Sequence, residues 1–293
     1  MIATNSMDAL EVMRLRPLMS RSQGRRGLVV AMIDGPVALD HPDLAQSGIK
    51  QIPGGGHVSC SRPQSISCMH GTFVAGILAA RRGSPAPAIC PGCTLLVRPI
   101  FSEDKNSKSD LPRTTAEDLA NAIGDVIAAG ANVINLSVAL EGPSGQAQRR
   151  LEQILDYAAS RSVLVVAAAG NQSIVGSTAI TRHPWVIPVT SCDLHGRPSE
   201  ESNLGSCIGR RGLAVPAAKV VSLGTTDKLQ VLGGTSAAAP FLSGAIALLW
   251  SEYPNATAAR IKLAVTGDSS KRRRTIVPPI LNAWAAYQAM STN

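Results

Sequence analysis

The sequence predicts an α/β domain in which helices cover both faces of a mostly parallel central sheet. Aliphatic runs of strand length alternate along the chain with longer segments of helical periodicity. Hydrophobic residues make up 45% of the 293 residues but Phe, Trp and Tyr only 3%. The core is therefore built from Ala, Val, Ile and Leu, which suits helices packed on buried strands. No compositional break, internal repeat or long low-complexity segment divides the chain, which is long enough to bury most of its apolar surface.

The elements follow in order. Residues 8–20 place Leu10, Met13, Leu15 and Leu18 at spacings that predict a short helix docked on the body, with Pro17 disturbing its end. Residues 1–27 are read as an N-terminal arm and 28–293 as the main domain. The run Leu28-Val29-Val30-Ala31-Met32-Ile33 reads as a buried strand that opens into a loop at Asp34-Gly35-Pro36, so Asp34 stands at a strand's carboxyl end, where open α/β sheets place their sites. Residues 51–69 read as irregular loop, and the triple glycine at 54–56 lacks the Gly-Lys-Ser/Thr of a phosphate cradle, which removes a nucleotide-binding reading. His70-Gly71-Thr72 opens an apolar helix over 73–80, and a proline-rich turn leads to a strand over 95–100. Thr114 and Glu117 read as a capping box before a helix over 115–129 that Gly130 stops. A strand over 133–137 follows. Residues 145–160 form an amphipathic helix with Leu151, Ile154, Leu155 and Ala158 inward and Arg149 and Arg150 outward. Strands are expected at 163–169, ending at Gly170-Asn171, and at 186–190, 213–215 and 219–223. Gly233-Gly234-Thr235-Ser236-Ala237-Ala238-Ala239-Pro240 then hands one serine to a long apolar run. Alone, this octapeptide reads equally well as a helix entry with Thr235 or Ser236 as N-cap.

Charge and cysteine content bound the partners. The formal charge is +8, with local concentrations over 14–26 and at Lys271-Arg272-Arg273-Arg274. No aromatic residues interleave with them, so solvated surface is preferred to a nucleic-acid interface, with attraction of an acidic peptide as the alternative. No run is long enough to span a membrane, and the first residues carry no export signal, so the default location is cytoplasmic. Six cysteines allow three local bridges, Cys60/Cys68, Cys90/Cys93 and Cys192/Cys207, among fifteen connectivities. Cys90-Pro91-Gly92-Cys93 precedes a strand and has no second ligand pair, so a structural or incidental role is preferred to zinc or redox chemistry, with reduction of all six thiols as the alternative to bridging. No cofactor is expected.

Asp34, His70 and Ser236 stand at strand ends or helix starts. Each has a plain structural explanation, yet together they are the acid, base and nucleophile of acyl transfer, in one of the known chain orders of that geometry. Asp34 with His41-Pro42-Asp43-Leu44, His70-Gly71-Thr72-Phe73-Val74-Ala75-Gly76 and Gly234-Thr235-Ser236-Ala237-Ala238-Ala239-Pro240 resemble the three signature blocks of subtilisin-like serine proteases. The resemblance spans residues 28 to 290 and implies a three-layer subtilisin-like fold and a serine endopeptidase. Ala168-Ala169-Gly170-Asn171 resembles the family segment whose asparagine donates to the tetrahedral oxyanion. The implied catalytic set is Asp34, His70, Ser236 and Asn171. Ser137, Val138, Ala139 and Leu140 on one side and Ala168, Ala169 and Gly170 on the other are the implied substrate-binding edges.

Departures from the family pattern refine the expectation. Val138-Ala139-Leu140 stand where the family has a glycine-rich edge, so the first specificity pocket is narrowed or its wall displaced. The family's calcium loop is replaced by Arg81-Arg82-Gly83-Ser84-Pro85-Ala86-Pro87. Asp43 alone matches a ligand position of a site that wants six to eight oxygens, so no metal is expected. Only about 27 residues precede the first strand, too few for a folding pro-domain. The Asp-Gly-Pro-Val block and the Gly-Ser-Pro-x-Pro turn are most similar to the compact subtilisin-like proteases that process precursor peptides in cyanobactin-type biosynthesis. That resemblance implies removal of a leader from a ribosomal precursor, with the basic surface as a grip on a leader of acidic character. The alternatives are a general protein-degrading subtilase and a catalytically inactive peptide-binding protein of the same fold.

Overall fold

Seven strands build the central sheet: β1 (Val29–Asp34), β2 (Gly48–Gln51), β3 (Thr94–Pro99), β4 (Val133–Leu136), β5 (Leu164–Ala168), β6 (Val186–Cys192) and β7 (Leu213–Pro216). They lie in the order β2-β3-β1-β4-β5-β6-β7, and each adjacent pair is parallel. This computed structural model describes residues 6–44, 48–53, 59–101, 114–138, 145–226, 228–267 and 274–291.

Alternation along each strand divides the core into two layers, because successive side chains point to opposite faces. Val30, Met32, Val133, Val166 and Val189 face one cluster, while Ala31, Ile33, Ile134, Val165 and Ala167 face the other. The first layer holds α3 (Ile66–Ala79) and α8 (Thr235–Glu252). It also holds α9 (Ala258–Thr266), α10 (Ala283–Ser291) and residues of the N-terminal α1 (Ser6–Val12) and α2 (Arg16–Arg21). The second layer is covered by α4 (Ala116–Ala128) and α5 (Gly145–Ser160). The fold is therefore three-layered, as the sequence predicts. Two short helices, α6 (Ala179–Arg182) and α7 (Ser206–Arg211), flank β6, and β8 (Val220–Leu223) and β9 (Leu229–Leu232) form an antiparallel hairpin.

The helix α8 is apolar on all sides because it is buried nearly all round, against β4, β5, β6 and α3. Truncating one of its fully buried residues, for example Leu248→Ala, is expected to cost about 2–5 kcal/mol.

Several local expectations are corrected. The N-terminal segment forms two helices, and Pro17 sits in the first turn of α2, where its missing N–H costs nothing. Met13, Leu15 and Leu18 belong to the main core. The cap of α4 is Thr115, whose side chain accepts from Asp118 N and donates to Asp118 Oδ2 at 2.7 Å, one residue beyond the expected Thr114 and Glu117 pair. The helix bearing His70 begins at Ile66, capped by Ser65, inside the stretch read as loop. β2 and β9 were not anticipated. Both lie at edges and are partly exposed, so neither carries the apolar run that marked the buried strands.

Cys60 and Cys68 are disulfide-bonded with a Cα–Cα distance of 5.4 Å, while Cys90, Cys93, Cys192 and Cys207 are free thiols. No helix among the described residues is long and apolar enough to cross a membrane. The glycines at 54–56, Ala139, Leu140 and the basic residues at 271–273 lie outside the described residues.

Candidate active site

Strand register delivers the candidate residues to one edge of the sheet. Ile33 pairs with Leu136, and Leu136 with Ala167. Asp34, Ser137 and Ala168 therefore leave the sheet side by side at its carboxyl end, next to the point where the strand order reverses around β1.

Two glycines let the His70 helix approach that edge. A Cβ on Gly35 would lie 1.9 Å from Ser67 O, and one on Gly71 would lie 2.4 Å from Gly35 O. Each adjoins a candidate residue, so the backbone after Asp34 lies directly against the turn of α3 that carries His70. The result is a hydrogen bond of 2.7 Å between His70 Nδ1 and Asp34 Oδ1. Asp34 Oδ1 also accepts from Gly35 N at 2.6 Å. Asp34 is fully buried, whereas the His70 side chain keeps 20% of its surface exposed. Burial alone would lower the His70 pKa, but the Asp34 charge and the hydrogen bond outweigh it, and the pKa is raised above the ordinary value of 6.5.

The serine enters from the opposite side. Ser236 is the second residue of α8 and half-buried in a helix otherwise almost wholly enclosed. Neither Thr235 nor Ser236 caps the helix. The N-cap is Gly234 at φ +90°, with no side-chain cap bond, so the plain capping explanation is set aside. Positive φ there calls for glycine, and a Cβ would come within 3.0 Å of the Asn171 amide. Ser236 Oγ donates to Ser137 O at 3.3 Å and not to His70. Its N–H is among those that a helix start leaves without an intrahelical acceptor, at the positive end of the helix dipole.

Thr235 serves Asn171 instead. Asn171 Oδ1 accepts from Thr235 N and from Thr235 Oγ1, each at 2.9 Å, and Thr235 Oγ1 accepts from Gly170 N at 3.1 Å. With its oxygen so engaged, the amide nitrogen of Asn171 is the end left for a ligand. Asn203 fixes the loop beyond, accepting from Gln172 N and Ile174 N and donating to Ala169 O. The Asn171 amide thus lies beside the start of α8.

The profile described as the Subtilase family matches residues 25–277. The chain belongs to the subtilase family, that of the subtilisin-like serine endopeptidases. The thermophilic serine proteinase of Bacillus sp. (strain AK1) is 30% identical over 249 residues, covering 84% of this chain and 58% of that protein. The chain thus spans just under three-fifths of that relative's length. Among solved structures, a variant of the protease domain of PatA superposes with a TM-score of 0.79 at 28% identity, covering 92% of this chain and 98% of that one. The prenylagaramide maturation protease PagA gives 0.78 at 26% identity, covering 94% and 98%. These are cyanobactin maturation proteases, the group named from the sequence.

Two arginines fasten the region after α3. Arg81 Nη2 donates to Asp43 Oδ1 at 2.9 Å, and Arg81 N to Asp43 O at 2.8 Å. The guanidinium of Arg82 donates to Met19 O, Ser22 O and Ile89 O at 3.0, 3.2 and 2.6 Å. The carboxylate that would bind calcium is already paired with a cation, and no group of three acidic, histidine or cysteine side chains gathers elsewhere among the described residues. These residues do not fit a calcium site.

Of the substrate-binding residues read from the sequence, Ser137, Val138, Ala168 and Ala169 are buried at the sheet edge, and Gly170 is engaged by Thr235. Thr235, Asn135, Ser243 and Asn203 were missed. Asn135 left a signal, a polar residue inside the buried run Val133-Ile134-Asn135-Leu136; the others are visible only through their contacts.

Proposed function

We propose that the protein is a serine endopeptidase acting through Ser236, His70 and Asp34, and that it removes a leader from a ribosomal precursor peptide. The observation that carries the chemistry is the part-buried 2.7 Å bond from His70 to Asp34 at the edge that also holds Ser236 and the Asn171 amide. The substrate class rests on likeness to maturation proteases.

Ser236 Oγ attacks the scissile carbonyl carbon while its proton passes to His70 Nε2. Asp34 holds the Nδ1–H tautomer and stabilises the imidazolium. The oxyanion accepts hydrogen bonds from Asn171 Nδ2 and Ser236 N. His70 returns the proton to the leaving amine, the C–N bond breaks, and water, deprotonated by His70, releases the acyl group. In the free enzyme Ser236 Oγ must turn from Ser137 O toward His70, an adjustment common on substrate binding.

A fluorophosphonate probe should label the wild type and not Ser236→Ala, and equal labelling of both would overturn the assignment. A net charge of +8 supports an acidic leader. Cleavage of one cognate precursor with KM rising with salt, beside no turnover of casein, is the expected pattern. Efficient casein turnover would favour a general degrading protease.

A further inference from the structure

One line of polar side chains crosses the apolar layer beneath the proposed nucleophile. Asn135 in β4 and Ser243 in α8 are both fully buried, and Ser137 is 5% exposed. Ser243 Oγ donates to Asn135 Oδ1 at 2.9 Å, with a longer branch of 3.2 Å to Ala239 O in its own helix. Asn135 Nδ2 donates to Ser137 Oγ at 2.9 Å. Because that amide takes a lone pair of Ser137, the Ser137 proton is directed onward to Ser236 O at 3.4 Å. Every bond in the line is donated toward Ser236.

The carbonyl at its end needs an outside donor. Inside a helix, Ser236 O would accept from the N–H four residues ahead, but that residue is Pro240, which has none. Ser137 supplies the missing donor. The line thus ends on the carbonyl of the very residue that carries the hydroxyl. Polar groups in a core are costly unless satisfied, and a fully satisfied set stiffens its surroundings. Ser243 lies among Ala, Leu, Ile and Gly in α8, where alanine would serve packing alone.

We propose that Ser243 is a positioning residue for the nucleophile: its hydroxyl orients the Asn135 amide, the amide orients Ser137, and Ser137 pins the peptide unit of Ser236. The proposal rests on Ser236 being the nucleophile. Ser243 itself touches neither substrate nor the reacting atoms, and its effect passes through three hydrogen bonds.

The test compares fluorophosphonate labelling rates, kcat and KM on a peptide ester, and melting temperature for the wild type, Ser243→Ala, Ser137→Ala and the double variant. Ser243→Ala is expected to label about three- to tenfold more slowly, with kcat falling alike and KM within about twofold. The double variant should be no slower than Ser137→Ala alone, because both changes cut one line. Wild-type labelling by folded Ser243→Ala, whatever its melting temperature, overturns the proposal, and so do losses that multiply in the double variant. Should Ser243→Ala not fold, Ser137→Ala carries the test, and a wild-type rate there overturns it equally. A wild type that fails to label, or labels no better than Ser236→Ala, overturns the assignment of the nucleophile and this proposal with it. A labelled wild type beside an unaffected Ser243→Ala overturns the positioning role alone.

Discussion

Two aspartates close together in the chain are each paired with a cation or potential cation, and they differ in almost every physical respect. Asp34 is fully buried and bonded to His70 at 2.7 Å. Asp43 is 17% exposed and meets Arg81, itself 59% exposed, at 2.9 Å. The distances nearly match, so distance does not set the difference. Burial does: away from water, the Asp34 charge acts on His70 with little screening and raises its pKa despite desolvation. At the surface, the same kind of pair is screened and contributes little. One pair sets a protonation state, and the other ties a loop to its neighbour.

Replacing the buried partner should have the largest effect. Asp34→Asn keeps the shape but removes the charge that holds and stabilises the imidazolium, and kcat is expected to fall by about 10⁴-fold. The pH profile sharpens the comparison. The base must be neutral to act, so in the wild type the acid limb of kcat/KM should lie above pH ~6.5. In Asp34→Asn the causes that raise the His70 pKa are removed while burial, which lowers it, remains. The acid limb should therefore move to lower pH, and an unchanged limb would show that Asp34 does not govern His70.

The second-largest effect is expected at Asn171, the proposed oxyanion donor. Asn171→Ala should lower kcat by about 10²–10³-fold with little change in KM, because the bond is made to charge that develops only in the transition state. A loss carried mainly by KM would mean that Asn171 binds ground-state substrate.

The sequence made the sheet legible wherever a strand is buried on both faces, as at 29–34 and 164–168, because only there does an unbroken aliphatic run survive. β2 and β9 escaped because their half-exposed residues carry no such signature, whereas β7, also at a sheet edge but buried, was anticipated. The candidate residues were legible through their sequence blocks: Asp34 at a strand end and Ser236 at a helix start, with His70, which lies one turn inside α3, and Asn171, which lies beyond β5, named from family resemblance. The devices that hold them were not. Thr235 reaches Asn171 across 64 residues of chain, and Ser243 reaches Asn135 across 108. A threonine or serine at a helix start or inside an apolar helix has a local explanation that hides its real partner. Gly35 was read only as part of a loop opening and Gly71 as part of a helix opening, although each permits a close backbone approach.

Between the two aspartates in magnitude stands Arg82, which fastens the end of α2 to the turn at Ile89 through three main-chain carbonyls. Its pKa is lowered by burial, yet it keeps its charge at any working pH. Arg82→Met retains much of the packing and removes the donors, leaving those carbonyls to water or to nothing. A loss of about 2–3 kcal/mol is expected, read as a lower melting temperature and as earlier proteolysis within residues 14–26. An unchanged melting temperature would mean that apolar burial of Met13, Leu15 and Leu18 alone anchors the segment.

The smallest effect should come from the exposed pair. Asp43→Asn is expected to change stability by less than about 1 kcal/mol, and that small difference should shrink further at high salt. Calcium provides the sharper version of this test. With Asp43 already neutralised by Arg81, added calcium should leave the wild-type melting temperature unmoved, and a chelator should do the same. Arg81→Ala frees the carboxylate but supplies no further ligands. One carboxylate with a few carbonyls falls short of the six to eight oxygens that calcium prefers, so the variant should remain indifferent to calcium as well. A calcium-dependent rise in Arg81→Ala alone would show that the guanidinium occupies the place of a bound ion, and that the exposed pair is a replacement for a metal instead of a minor surface contact.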